Sequence, residues 1–226
     1  MGKAIKYILI FLVFLIWQET QAQMQKKEIR FLPLGDSYTI CEGAKWEESW
    51  PFLLTKNLKK AGVEIKLLAN PSVTGYTTDQ LIREELPVFD KLKPDFVTIL
   101  IGVNDYVQGR TEQQFSNKLV FILDYVQKQL PDSSKIILIT IPDYSVTPSG
   151  AQYTRGRDVN KGISQFNDII KAEALKRKLP VVDIFPSTLK MKNNPSLICE
   201  DGLHPSSKEY ANWEELIRKV ALDILK

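Results

Sequence analysis

The residues best suited to chemistry stand in four short blocks spread along the chain. Gly35-Asp36-Ser37 closes an apolar run that begins at Ile29, and Gly75 stands within Thr74-Gly-Tyr-Thr-Thr-Asp79. Gly102-Val-Asn104-Asp105 closes a second apolar run, and Asp201-Gly-Leu-His204-Pro205 holds the only histidine of the 226 residues. A serine hydroxyl becomes a competent nucleophile when a neighbouring base takes its proton, and imidazole titrates in the range for that work. A carboxylate on the other ring nitrogen fixes the tautomer and steadies the imidazolium. The negative charge that develops on an attacked carbonyl needs donors already in place, which a backbone N–H beside a glycine and a carboxamide can supply. All the parts of an acyl-transfer site are therefore present. Each residue also has a purely structural reading: Ser37 and Asp201 as caps, Asn104 as a turn residue, Gly75 as a source of backbone freedom. Asp36 and Asp105 read as structural, holding loops by hydrogen bonds.

Such residues act together only if the fold brings them to one place. Strands are expected over 29–34, 63–69, 95–101, 135–141 and 181–184, from apolar and β-branched runs stopped by Gly, Asn or Pro. Helices are expected over 46–61, with Gly62 as the stop, over 77–86, checked by Pro87, and over 111–130, 158–178 and 206–225. Apolar strands alternating with helices imply a parallel sheet covered on both faces, a doubly wound three-layer α/β sandwich of about five strands. In such sheets chemistry gathers at the carboxyl ends of the strands, and the first three blocks stand there. The long irregular stretch 142–157, with Pro148, Gly150 and Gly156, is a candidate wall or lid; a surface loop without function is the alternative.

Composition is ordinary for a globular protein, and a net charge of +3 is too small to argue for a nucleic-acid partner. Lys3 and Lys6 precede the apolar run from Ile8 to Trp17, and Thr20-Gln21-Ala22 supplies small residues for a cleavage site. That is a secretory signal over residues 1–22, leaving 23–226 as one exported domain; the run is short for a membrane span. Export gives Cys41 and Cys199 a meaning. They flank Ser37 and Asp201, so if those blocks meet, a Cys41–Cys199 disulfide tying the two loops is one expectation; two buried free thiols are the other.

The four blocks, in this order, make the chain resemble the SGNH hydrolases, the GDSL family of lipases and acylhydrolases. The resemblance spans nearly the whole chain after the leader and extends to the stretches 74–79, 141–148 and 201–206. It implies the flavodoxin-like SGNH fold and a serine esterase or acylhydrolase that works through an acyl-enzyme on short acyl or acetyl esters. By position, it implies Ser37 as nucleophile, His204 as general base and then acid, and Asp201 as its orienting carboxylate. The implied oxyanion hole combines the backbone N–H groups of Ser37 and Gly75 with the Asn104 amide. No metal or organic cofactor is implied, and the expected partner is a small-molecule, carbohydrate or lipid ester. The cysteine pair is not part of the family pattern. Two other readings stay open. One is a lysophospholipase or thioesterase with an apolar channel lined by Phe185, Tyr144 and Tyr106, and the other a non-catalytic carbohydrate- or lipid-binding protein. Gly-x-Ser-x-Gly and Gly-x-Gly-x-x-Gly motifs are lacking, which argues against the common α/β-hydrolase elbow and a dinucleotide site.

Overall fold

A computed structural model of the chain describes residues 28–226. The leader expected over residues 1–22 lies outside the described residues. The first half runs β1 (Ile29–Gly35), α1 (Ser37–Ile40), α2 (Trp50–Lys60), β2 (Ile65–Leu67), α3 (Thr78–Gln80), α4 (Leu86–Leu92) and β3 (Phe96–Leu100). The second half runs α5 (Val103–Val107), α6 (Glu112–Gln129), β4 (Ile136–Ile139), α7 (Val159–Arg177), β5 (Val181–Val182), α8 (Phe185–Thr188) and α9 (Ser207–Leu225). The five strands form one sheet in the order β2-β1-β3-β4-β5, every pairing parallel. This is the doubly wound α/β sandwich the alternation of elements leads one to expect, in the flavodoxin-like strand order.

The central strands are buried from end to end because helices cover both faces of the sheet: β3 and β4 contain no exposed residue. On one face α2 and α9 pack together through Trp50 and Trp213, both wholly buried. A buried indole needs an acceptor for its N–H. Trp50 Nε1 donates to the Tyr38 carbonyl at 2.9 Å and Trp213 Nε1 to Glu209 Oε1 at 2.8 Å. The first of these bonds ties α2 to α1, the short helix that begins at Ser37. On the other face α6 and α7 meet through Phe115 and Phe166, stacked with centroids 4.4 Å apart, and α4 joins them through Phe89 against Tyr125.

Four elements depart from the expected boundaries. The helix expected over 46–61 is broken: a 3₁₀ turn covers Trp46–Glu48, Ser49 is extended (φ −67°, ψ 142°), and α2 restarts with Pro51 in its first turn. A proline there forfeits no intrahelical bond, whereas inside a continuous helix it would. Pro87, conversely, does not stop its helix. A π turn over Leu81–Glu85 bonds the Leu86 N–H to the Leu81 carbonyl, five residues back, and the chain passes through Pro87 into α4. Finally, β2 and β5 keep only three and two residues. Both are edge strands with one neighbour each, and short edges are the usual way a sheet avoids pairing with another chain.

Candidate active site

Gly35 ends β1 at a turn too tight for any side chain. A Cβ there would collide with Thr39 Oγ1 and with the Leu100 carbonyl of the neighbouring strand. The turn delivers Ser37 as the first residue of α1, nearly buried. Among the described residues Ser37 Oγ makes no hydrogen bond, and the Ser37 N–H, at the open start of a helix, has no acceptor. Asp36, by contrast, is turned back into the fold, where it caps α1 by accepting from the Tyr38 N–H at 3.0 Å.

The next two strand ends bring donors. Beyond β2, Asn70 Nδ2 donates to the Thr39 carbonyl at 2.8 Å and fastens the following loop to α1. Gly75 in that loop has a φ of +87°, a conformation that favours glycine, and its N–H likewise has no acceptor among the described residues. Beyond β3, Asn104 donates one amide N–H to the Tyr76 carbonyl at 2.9 Å and keeps the second. Asp105 holds the glycine loop in place, accepting from the Thr78 hydroxyl at 2.6 Å and the Thr78 N–H at 2.9 Å.

The histidine arrives on a hairpin-like loop ahead of α9. Ile198 bridges Pro205, the Cys199 N–H donates to the His204 carbonyl at 2.9 Å, and Gly202 turns with φ +69°. Within it Asp201 Oδ2 lies 2.6 Å from His204 Nδ1, while Oδ1 accepts from the N–H groups of Leu203 (2.7 Å) and His204 (2.9 Å) and from the Cys199 thiol (3.0 Å). The His204 ring also packs edge-on to Tyr38, the residue after Ser37, at 5.6 Å between centroids. No hydrogen bond yet joins His204 to Ser37, as is common in unliganded sites.

Ser37, Gly75, Asn104 and His204 line one cavity of about 230 Å³, with Tyr38, Thr74, Val103, Val107, Tyr144, Tyr153 and Leu203 completing its wall. The structure thus brings the expected residues together, with Asp201 behind His204. It also adds residues that the pattern of the sequence did not single out, notably Tyr153. That residue comes from the irregular stretch 142–157, which folds into 3₁₀ turns over Tyr144–Val146 and Gly150–Tyr153. The stretch is fastened to the histidine loop: the Ser149 N–H donates to the Gly202 carbonyl at 2.8 Å and its hydroxyl to the Asp201 carbonyl at 2.9 Å. It forms a wall of the cavity. Of the aromatics expected to line a longer channel, only Tyr144 reaches it; Tyr106 packs against Phe166 and beneath the Arg157 guanidinium.

The carboxyl groups around the site are tuned in opposite directions. Burial pushes Asp36 up to about 8, against the Tyr38 N–H that favours its charge and with the nearby Asp105 adding to the rise. Burial raises Glu85 as well; its Oε2 accepts from the Gly35 N–H at 2.9 Å while Oε1 has no partner among the described residues. Asp105 is raised, chiefly by burial, and its bonds to Thr78 oppose the shift. For Asp201 partial burial also acts upward. There the Cys199 thiol, the His204 ring and two backbone N–H groups outweigh it and hold the carboxyl well below the usual range.

Both cysteines are free thiols, so the bridge expected between Cys41 and Cys199 is not formed. Their side chains are committed elsewhere. Cys41 caps α1 in a left-handed conformation (φ 63°), its Sγ buried against the carbonyls of Tyr38 and Thr39, and Cys199 turns its Sγ to Asp201.

The sequence model of the GDSL-like Lipase/Acylhydrolase family matches residues 34–211. An arylesterase of Vibrio mimicus is 25% identical over 179 residues, covering 78% of this chain and 80% of that protein. The esterase TesA of Pseudomonas aeruginosa is 25% identical over 178 residues, covering 77% of this chain and 79% of its own. A lipase/acylhydrolase from Enterococcus faecalis shares the fold with a TM-score of 0.68 at 23% identity, covering 88% of this chain and 97% of that one.

Proposed function

The chain belongs to the GDSL-like lipase/acylhydrolase family, and from that premise we propose that it is a serine esterase cleaving short acyl esters through an acyl-enzyme, with Ser37, His204 and Asp201 as its triad. The observation that carries the reading is the Asp201–His204 pair at 2.6 Å, set on the wall of the cavity that Ser37 also lines. A second support is the set of donors left over beside Ser37: its own N–H, that of Gly75 and one amide N–H of Asn104. Unpaired donors converging on one cavity are what an oxyanion requires.

In the reaction, Ser37 Oγ attacks the ester carbonyl carbon while His204 Nε2 takes the hydroxyl proton. Asp201 keeps the other ring proton on Nδ1 and stabilises the imidazolium that forms. The carbonyl oxygen, now negative, is held by the three donors. Collapse breaks the bond to the alcohol, which leaves with the proton from His204. Water then attacks the acyl-enzyme with His204 again as base; collapse breaks the bond to Ser37 Oγ, which takes the proton back from His204, and the carboxylic acid leaves. Asp36 takes no proton in this sequence, since its carboxyl is turned away to cap α1.

The small cavity supports a short acyl group. About 230 Å³, closed by Tyr144, Tyr153, Val103 and Val107, is less than the roughly 300–1,000 Å³ of pockets that enclose larger ligands. Among the described residues no helix is long and apolar enough to cross a membrane. The leader pattern over residues 1–22 supports export of residues 23–226. The test is hydrolysis of p-nitrophenyl esters from acetate to long acyl chains by the protein and its Ser37→Ala variant. The expected result is serine-dependent turnover that falls as the acyl chain lengthens. A preference for long chains would transfer the reading to a lysophospholipase or thioesterase. Hydrolysis unaffected by Ser37→Ala would remove Ser37 from the reaction.

A further inference from the structure

The Asp201 carboxylate receives more donors than a triad needs. Oδ2 serves His204, and two of the donors to Oδ1 are backbone N–H groups supplied by the turn itself. The third is a side chain, the Cys199 thiol at 3.0 Å. This contact is set by packing as well as by hydrogen bonding. The Cys199 backbone is held by its N–H bond to the His204 carbonyl, and its sulfur rests against Gly43, where any Cβ would overlap it. Gly43 has a φ of +84°, so the position both permits glycine and needs its lack of a side chain.

We propose that Cys199 is a positioning residue of the triad: its thiol, donated to Asp201 Oδ1, fixes the carboxylate against His204 and moderates the pull of that carboxylate on the imidazolium. The inference rests on the triad proposed above. Donation requires the protonated thiol. Burial, together with the adjacent carboxylate, pushes Cys199 up to about 11, so it stays an S–H donor across the working range and is a poor nucleophile. A donor on one carboxylate oxygen draws charge from the other, so the thiol weakens the hold of Asp201 on the protonated ring. Losing it leaves a carboxylate that binds the imidazolium more strongly but is less firmly oriented, with two backbone donors on Oδ1 in place of three donors. The loop's other ionisable neighbours are Glu42 and Glu200 on the rim of the adjoining surface cavity, Tyr38 against the ring, Tyr144 and Tyr153 on the wall of the active-site cavity, and buried Tyr210, whose hydroxyl donates to the Glu42 carbonyl. A change at Cys199 leaves all of them in place.

His204 is the only histidine, so its ring carbon signals in an NMR titration report this one group whether or not any ester is cleaved. In Cys199→Ala the midpoint should move up by a few tenths of a pH unit. The acid limb of kcat/KM for an acetyl ester should move with it. kcat should fall roughly three- to tenfold with KM little changed, the loss of one modest hydrogen bond. Cys199→Ser, which keeps a donor, should return midpoint and kcat most of the way. An unmoved titration in a folded Cys199→Ala protein would overturn the proposal, as would a kcat loss that serine does not restore. Wild-type protein without Ser37-dependent hydrolysis would instead count against the esterase reading, because the NMR measurement stands apart from it.

Discussion

Asp36 and Asp201 lie on opposite sides of the same site, one beside Ser37 and the other beside His204, and their surroundings drive them apart. Asp36 is buried, receives one backbone N–H and sits near Asp105, and its carboxyl is pushed up to about 8. Asp201 is only partly buried and gathers four donors, so its carboxyl stays ionised far into acid. Two residues of one type are thus fitted for different work. An ionised carboxylate can orient and stabilise an imidazolium, and a largely protonated buried one cannot. The difference lies in the backbone around them: the histidine loop turns N–H groups toward Asp201, whereas α1 spends its own on holding the turn at Ser37.

The sharpest way to break this contrast is to remove the groups the two carboxylates flank. Ser37→Ala and His204→Ala should each lower kcat by about 10⁴-fold or more, and the double variant should be no worse, because members of a triad act as one unit. Single-turnover rates on an acetyl ester would check this, and additive losses would mean that the two residues serve separate steps. Next in size comes the comparison itself. Asp201→Asn should cost about 10³- to 10⁴-fold in kcat while leaving the fold intact, since an amide opposite Nδ1 favours the wrong tautomer. Asp36→Asn should stay within about tenfold of wild type, because an asparagine oxygen can still accept from the Tyr38 N–H. Equal losses in the two variants would dissolve the division of labour. Smaller again, Asn104→Ala should lower kcat about 10²- to 10³-fold with little effect on KM. Turnover close to wild type would take Asn104 out of the oxyanion hole.

Much of this was legible because strands that end at glycine, followed by a hydroxyl, an amide or a carboxylate, fix both the sheet and the edge where chemistry gathers. Gly35 and Gly102 mark those ends, Gly75 stands in the loop beyond β2, and Asp201 and His204 are close enough in the chain to share one turn. What resisted reading depends on backbone geometry and contacts that no run of residue types announces. Pro87 looks like a stop until the widened turn at Leu81–Glu85 is seen to make room for it. Tyr153 joins the cavity because Ser149 anchors its stretch to the histidine loop, which no local pattern announces. Cys199 suggested a bridge because it and Cys41 flank two blocks that meet, yet its thiol is turned to Asp201.

The gentlest test of the contrast reads stability instead of rate. Asp36 carries its proton in the folded protein up to about pH 8, while in the unfolded chain it ionises near the ordinary carboxylate value of 3.8. Between those two values the folded state binds the extra proton, so the contribution of this group to stability falls as pH rises and levels off above about 8. At about 1.4 kcal/mol per pH unit the full fall is on the order of 5 kcal/mol, an upper figure because neighbouring Asp105 and Glu85 share the same buried space. Asp36→Asn cannot ionise and should lose this slope. Denaturant midpoints taken from pH 5 to 8 should therefore decline less steeply in the variant than in wild type, and the two curves should separate progressively toward pH 8. Asp201 has the opposite sign: its depressed carboxyl adds stability that is complete above the unfolded value and is lost only as pH falls below it, so its own ionisation adds no slope from pH 5 to 8. Parallel curves for wild type and Asp36→Asn would place the Asp36 charge in contact with water after all and remove burial from what sets it apart from Asp201.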